Sequence, residues 1–351
     1  MPGYCLIGEN TRMASLERTA IHMIRAPIIT HLACRLEAMG APVASLLGRA
    51  GISAELLAFP DTLIPLANTF KLLELACSSL GTEHLGIDLG LGSSLVDFGD
   101  YGKSLAGSLT VGAYMHAGTR HYRCLNSGER LWLSRAGDGD IRINMTSHEK
   151  HSLGAHQSHL CTLIVSILTI RQAAGPDWCP SKLGLAYTPR EPVPATELLA
   201  RTHIEYGTQY SYITVPSSLL QRVFPQASRS QYVQIPGPGD PMPTDILEIV
   251  TNQVETLYTN RGTPHIDSVA ESLSMSRRTL QREIARRGTT YVDIVHHSRM
   301  RQACEDLDGS DKTITEIAFE LGYTDASNFT RAFRREIGIS PSAFRRQALS
   351  A

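Results

Sequence analysis

The chain has 351 residues, 42% of them hydrophobic and 19% charged, with a formal net charge of -1. That length exceeds the ~100 to 200 residues of a usual single domain and predicts at least two packed units, while the composition excludes a disordered or fibrous chain. The near-neutral total excludes a globally basic nucleic-acid coat protein but says nothing of local patches.

In chain order, Glu9, Arg12, Glu17, Arg18 and Arg25 interrupt every apolar stretch of residues 1–27, so neither a signal peptide nor export is expected. Helical apolar spacing follows over Ile28–Met39, Phe70–Leu80 and Leu109–Tyr122. Gly90-Leu91-Gly92 lacks the third glycine of a dinucleotide fingerprint and reads as a turn. The segments 131–134 (LWLS) and 141–145 (IRINM) alternate on either side of Gly137-Asp138-Gly139, the pattern of a β-hairpin. A buried helix is predicted over His156–Ala174; its most apolar run, Leu163–Ile170, includes Ser166 and Thr169 and falls short of the ~20 residues a membrane span requires. Strands are predicted at Leu183–Tyr187 and Tyr210–Val215, among Pro189, Pro192, Pro194 and Pro216. Residues 28–234 therefore read as an α+β domain. The stretch Ile235–Thr244 (IPGPGDPMPT) removes backbone donors and restricts both helix and strand, so residues 235–243 are assigned as a linker. Residues 244–351 are predicted to form an all-α domain of seven short helices.

Within that domain one pattern occurs twice, at 265–287 (HIDSVAESLSMSRRTLQREIARR) and at 313–337 (TITEIAFELGYTDASNFTRAFRREI). Each copy has a helix with a small inner residue, Ala270 or Ala318, and an apolar residue three positions on, Leu273 or Leu321. A tight turn follows, where Gly322 suits a left-handed position and Ser274 is a less comfortable substitute. Ser276, and Thr324 or Asp325, then offer N-cap oxygens to a second helix. Helix, turn and capped helix make a helix-turn-helix. The second helices are basic: Arg277, Arg278, Arg282, Arg286 and Arg287 stand against Glu283 in one copy, and Arg331, Arg334, Arg335, Arg345 and Arg346 against Glu336 in the other. A helix over Tyr291–Leu307 joins the copies; at ~1.5 Å per residue it is about 25 Å long, on the scale of one DNA turn. Two heads on one spacer predict a reader of two successive major grooves of double-stranded DNA.

These residues resemble the AraC/XylS family of transcription regulators. Ile314, Ile317, Ala318, Gly322, Tyr323, Ser327, Phe329, Arg331, Phe333, Gly338, Pro341, Phe344 and Arg345 stand at the spacing of that family's C-terminal signature, and Ala270, Ser276, Leu280, Gln281 and Arg282 resemble its first helix-turn-helix. Residues 28–225 resemble the effector region of one branch, the arabinose-binding type. The resemblance implies base-reading positions at Arg278, Gln281 and Arg282 in the first helix and at Ser327, Thr330 and Arg331 in the second. Leu280 and Phe329 must face inward, which leaves their neighbours to the groove. Ser276, Arg277, Arg286, Arg334 and Arg335 are assigned to phosphate, which positions without specifying. Phe329, Phe333 and Phe344 are read as core. RNA polymerase, a small-molecule effector and a second copy of the chain are the further partners expected, and the cytoplasm the expected compartment, in line with seven cysteines at 5, 34, 77, 124, 161, 179 and 304 that form no C-x-x-C pair.

Outside that domain, no phosphate-binding glycine loop and no G-x-S-x-G occurs, so neither an enzyme nor a cofactor is predicted. His148, His151, His156 and His159 repeat H-x-x-H, and a metal- or pH-responsive regulator using them is the alternative reading. No metal ligand and no effector-binding residue is assigned, although Tyr101, Tyr114, Tyr122, Trp132, Trp178, Tyr206, Tyr210 and Tyr212 supply aromatic surface for a pocket.

Overall fold

A computed structural model describes residues 21–59, 61–137, 139–225, 241–261 and 264–348. Residues 1–20 of the N-terminal segment and residues 235–240 of the expected linker lie outside them. The chain divides into two units, residues 1–60 with 64–244 and residues 61–63 with 245–351.

The N-terminal unit is α+β. Strands β1 (Met23–Arg25) and β2 (Leu63–Pro65) form a small two-stranded sheet. Met23 is fully buried, so the ordered fold starts before residue 28. Helices α1 (Ala26–Ala38), α2 (Val43–Ala50), α3 (Leu66–Leu80), α4 (Leu85–Leu91), α5 (Gly99–Ala106) and α6 (Val111–His121) follow, then β3 (Glu129–Arg135), β4 (Ile141–Ser147), α7 (Leu153–Ala174), β5 (Lys182–Leu185), β6 (His203–Tyr206) and β7 (Ser211–Val215). The second sheet has the order β3-β4-β7-β5-β6, antiparallel except for the parallel pair β5 and β6. The hairpin runs in register from Glu129 opposite Ser147 to Arg135 opposite Ile141. β7 (SYITV) is buried along its whole length, as a central strand covered on both faces requires. The sequence reading missed β6, an edge strand of only four residues (HIEY) with both ends exposed.

Helix α7 organises this unit. Ser152 caps it, its hydroxyl accepting from the Ala155 N–H at 3.2 Å, and most of its 22 residues are buried. By length and composition it could cross a membrane, but its apolar surface is packed inside the unit. Gly90 is not turn chemistry. It lies within α4, and a Cβ there would stand 2.7 Å from Ile164 Cβ of α7, so the glycine lets the two helices approach closely. At the far end of the unit Met242, within the expected linker, is buried and its N–H donates to the Arg123 carbonyl at 2.8 Å.

The C-terminal unit is helical throughout its described elements: α8 (Ile246–Arg261), α9 (Ile266–Ser272), α10 (Arg277–Ala285), α11 (Tyr291–Gly309), α12 (Ile314–Glu320), α13 (Ala326–Ile337) and α14 (Pro341–Ala348). Met300, Ala303 and Leu307 of α11 pack with Ile317, Ala318, Leu321, Phe329 and Phe333 in one apolar cluster. The rings of Phe329 and Phe333 lie 5.6 Å apart, and Phe344 closes edge-on against Phe333 at 5.7 Å. Phe344 is in place because Gly338, with φ 89°, stops α13 and Pro341 starts α14.

Candidate nucleic-acid interface

The two copies of the repeated pattern share one backbone device. After α9 the Met275 N–H donates to the Ala270 carbonyl at 2.8 Å and the Ser274 N–H to Glu271 at 2.9 Å; after α12 the Tyr323 N–H donates to Ala318 and the Gly322 N–H to Phe319, both at 2.9 Å. This double closure needs a left-handed residue just past the helix. Gly322 supplies it with φ 75°, and Ser274, with φ 54°, is the one non-glycine residue in that region among the described residues. The chain then enters the second helix through a cap: the Ser276 hydroxyl accepts from the Thr279 N–H at 3.1 Å, and Asp325, rather than Thr324, accepts from the Asn328 N–H at 2.7 Å.

Turn and cap fix which face of each second helix turns inward. Leu280 and Phe329 are both 0% exposed. On the opposite side Arg277, Arg278, Gln281, Arg282 and Arg286 are exposed along α10, with Ser276 at its cap, and Ser327, Arg331, Arg334 and Arg335 are exposed along α13. Thr330 is half-buried, and its hydroxyl donates to the Ala326 carbonyl at 2.8 Å.

The two faces differ in charge. Beneath α10 the buried Glu283 carboxylate lies 2.7 Å from Arg286 Nη1 and 3.7 Å from both Arg282 Nε and Arg287 Nη1. Arg287 also meets Asp245 at 2.9 Å, and Arg277 lies 3.5 Å from Asp267. On α13, Arg331, Arg334 and Arg335 make no ion pair among the described residues, and Glu336 is instead engaged by His296 at 3.4 Å and His297 at 3.1 Å. Arg345 does not belong to the basic face. It is half-buried and its Nε donates to the Leu307 carbonyl at 3.2 Å, which caps the last turn of α11. The acidic segment between the copies is tied to Lys312, which pairs with Glu320 at 2.6 Å and Asp306 at 3.9 Å.

The four histidines of the alternative reading are not gathered into one site. His151 is exposed, His156 stacks on Tyr187 at 4.4 Å, and His159 is buried beside Glu129; no group of three or more metal-ligating side chains occurs among the described residues. Burial lowers His156 to about 4 and His159 to about 3. Both stay neutral across the physiological range. Of the aromatic residues singled out, Tyr101, Tyr114 and Tyr122 are buried around one cavity, whereas Trp132 packs on Tyr210 at 4.8 Å and Tyr212 lies under the Arg142 guanidinium at 4.3 Å.

Residues 40–224, more than half of the chain, match the family described as the arabinose-binding domain of AraC transcription regulators, and residues 269–347 match a helix-turn-helix domain. The ornithine utilization regulator of Pseudomonas aeruginosa is 26% identical over 309 residues, covering 86% of this chain and 90% of that protein. The transcriptional activator RhaS of Escherichia coli is 36% identical over 80 residues, a match confined to 22% of this chain and 29% of the relative. The crystal structure of the regulator CdpR from Pseudomonas aeruginosa aligns with 86% of this chain and 96% of its own, at 20% identity and a TM-score of 0.37. With the family's two domains matched in order along one chain, this protein belongs to the AraC family of transcription regulators and carries its helix-turn-helix DNA-binding domain behind an N-terminal domain of the effector-binding type.

Proposed function

We propose that the protein binds one face of a DNA duplex with α10 and α13 in successive major grooves. Arg278, Gln281, Arg282, Ser327, Thr330 and Arg331 meet base edges, and Ser276, Arg277, Arg286, Arg334 and Arg335 meet phosphates. The observation that carries this reading is the pairing of a buried anchor with an exposed arginine face on each second helix: Leu280 on α10 and Phe329 on α13. Arginine suits both tasks because its planar fork binds guanine or phosphate through two bonds at once. The spacer α11 has 19 residues, ~28 Å of helix, compatible with heads about one turn apart. In this reading the N-terminal unit receives a small-molecule effector and pairs two copies of the chain, and the DNA-bound protein acts on RNA polymerase in the cytoplasm as an activator.

The test is a duplex selected by the full-length protein from a random pool, followed by footprinting and a salt titration. Two protected patches one helical turn apart are expected. With four arginines on phosphate, log affinity falls against log salt with a slope of about -3.6, at ~0.9 per neutralised phosphate. A flat salt dependence, or a single protected patch, overturns the proposal.

A further inference from the structure

Three cavities in the N-terminal unit lie in a row along one face of α7. The outer one, about 230 Å³, is bounded by Ser94, Val96, Leu168, Thr169 and Gln172. It shares Leu95, Leu105 and Val165 with a middle cavity of about 30 Å³ walled by Tyr101, Tyr114 and Met115. That one shares Phe98, Tyr122, Leu125 and Thr162 with an inner cavity, also of about 30 Å³, which ends at Asn126, Glu129, Gln157 and Ser158. On α7 the lining therefore steps through Ser158, Thr162, Val165, Thr169 and Gln172, about 21 Å of helix at ~1.5 Å per residue. Small hydroxyl residues hold this face open. Those of Ser166 and Thr169 are turned back onto the helix, to the Thr162 carbonyl at 2.9 Å and the Val165 carbonyl at 2.8 Å, and so leave the passage apolar.

The inner cavity is not lined by apolar groups alone. The Glu129 side chain is 1% exposed. Its Oε2 accepts from Tyr122 Oη at 3.0 Å and from Asn126 Nδ2 at 2.7 Å, the Ser158 hydroxyl also favours its charged form, and its Oε1 has no partner in hydrogen-bonding geometry. The nearest cationic candidate, His159 Nε2, stands 3.7 Å from that oxygen and is itself unpartnered. An unsatisfied buried carboxylate oxygen costs folding free energy unless something brings it a donor. Burial pushes the Glu129 carboxyl up to about 7, so the group is poised to lose its proton when a cation arrives, and the neutral His159 supplies no charge of its own.

We infer that this passage is the effector site of the N-terminal unit and that it takes an unbranched primary amine, its ammonium on Glu129 Oε1 and its alkyl chain along Leu125, Phe98, Met115 and Leu105 toward the outer cavity. The inference rests on the effector-binding role proposed above. The ammonium follows from a buried carboxyl lining the inner cavity that, once ionised, only an opposite charge compensates. The slim chain follows from the volumes, since about 30 Å³ admits only one or two water-sized groups at a time. The widening at the mouth accepts a bulkier or polar distal end beside Ser94 and Gln172.

Calorimetric titration of the full-length protein with n-hexylamine, 1-hexanol and hexanoate tests it. Saturable binding of hexylamine is expected, at least tenfold tighter than hexanol, with no binding of hexanoate. Glu129→Gln keeps the acceptor for Tyr122 and Asn126 but turns a donor toward the passage, so hexylamine affinity falls at least tenfold while hexanol is retained. Gly118→Leu places a side chain in the middle cavity, where the glycine's nearest neighbours would be 3.7 Å from a Cβ, and should abolish binding of both ligands without touching the polar end. Equal hexylamine affinity in wild type and Glu129→Gln, or no heat with any ligand, overturns the inference. Binding of the selected duplex is measured in parallel: if it persists while the amine fails, the ligand assignment falls and the DNA-reading proposal stands.

Discussion

Replacing Glu129 with Gln should remove a distinctive part of the protein's pH dependence. In the folded chain burial raises this carboxyl from 4.5 to about 7, with Ser158, Tyr122 and Asn126 pulling the other way. A carboxyl raised on folding favours the native state fully below its unfolded value near 4.5, and that advantage is lost as pH rises through about 7. The groups around it are Tyr122, Asn126, Ser158, His159, His156 and Cys161. Tyr122 and Cys161 are pushed upward and stay protonated. The two histidines, lowered to about 3 and about 4, act with the opposite sign: their contribution is complete only well above 6.5 and is lost as pH falls through that value. Between pH 6 and 8 the deprotonation of Glu129 costs ~1.3 kcal/mol of stability by linkage while the histidines gain stability over the same window, so the Glu129 contribution is isolated by comparison with Glu129→Gln. Urea unfolding followed by Trp132 and Trp178, both in the N-terminal unit, reads this directly. Relative to Glu129→Gln, in which the histidine contribution is unchanged, wild type should lose about that amount between pH 6 and 8. Parallel curves for the two proteins would refute a buried, proton-bearing Glu129.

Two further substitutions probe the C-terminal unit. Arg282→Ala or Arg331→Ala should cost ~1 to 3 kcal/mol on the selected duplex and little on a scrambled one, whereas Arg286→Ala should weaken both alike; equal losses on both duplexes for Arg282→Ala would remove it from base reading. Phe329→Ala empties a fully buried site between Tyr323 and Phe333, whose rings lie 5.5 and 5.6 Å away, and should cost ~3 to 5 kcal/mol in urea unfolding of the C-terminal unit.

What the sequence made legible was local. The turns at Ser274 and Gly322, the caps at Ser276 and Asp325 and the inward anchors Leu280 and Phe329 depend on residues within a few positions of one another, so spacing alone points to them. The hairpin of β3 and β4 and the buried helix α7 follow from period and turn chemistry in the same way. What failed was long-range. Gly90 resembles turn chemistry until α7 is laid against it, and Arg345 counts as surface charge until the Leu307 carbonyl, 38 residues away, is found at its Nε. Glu129 gave no signal at all: it is a single acid at the first position of β3, and only the packing of Tyr122, Asn126, Ser158 and His159 around it turns it into a buried carboxyl lining a cavity. The H-x-x-H pattern runs into the start of α7, where His156 and His159 are neutral core groups.

The two reading heads also differ in a way that bears on specificity. Aligning the copies on Leu280 and Phe329 places Glu283 of the first opposite Ala332 of the second, so only α10 carries a buried carboxylate beneath its arginines. That carboxylate holds Arg286 at 2.7 Å and Arg282 at 3.7 Å, which orders the two side chains before DNA arrives and lowers their net attraction for phosphate. Order favours discrimination, because less side-chain entropy remains to be lost on a correct base pair; reduced charge lowers affinity for every duplex alike. Glu283→Gln separates the two effects. Removing one charge ~8 Å from a phosphate in a high dielectric is worth ~0.5 kcal/mol, about a twofold gain on a scrambled duplex. On the selected duplex the freed Arg282 loses roughly 1 kcal/mol of oriented base contact, so the ratio between the two duplexes should narrow about fivefold. Paired titrations at one salt concentration measure that ratio, and a uniform shift on both duplexes would mean that Glu283 tunes charge alone and does not orient Arg282.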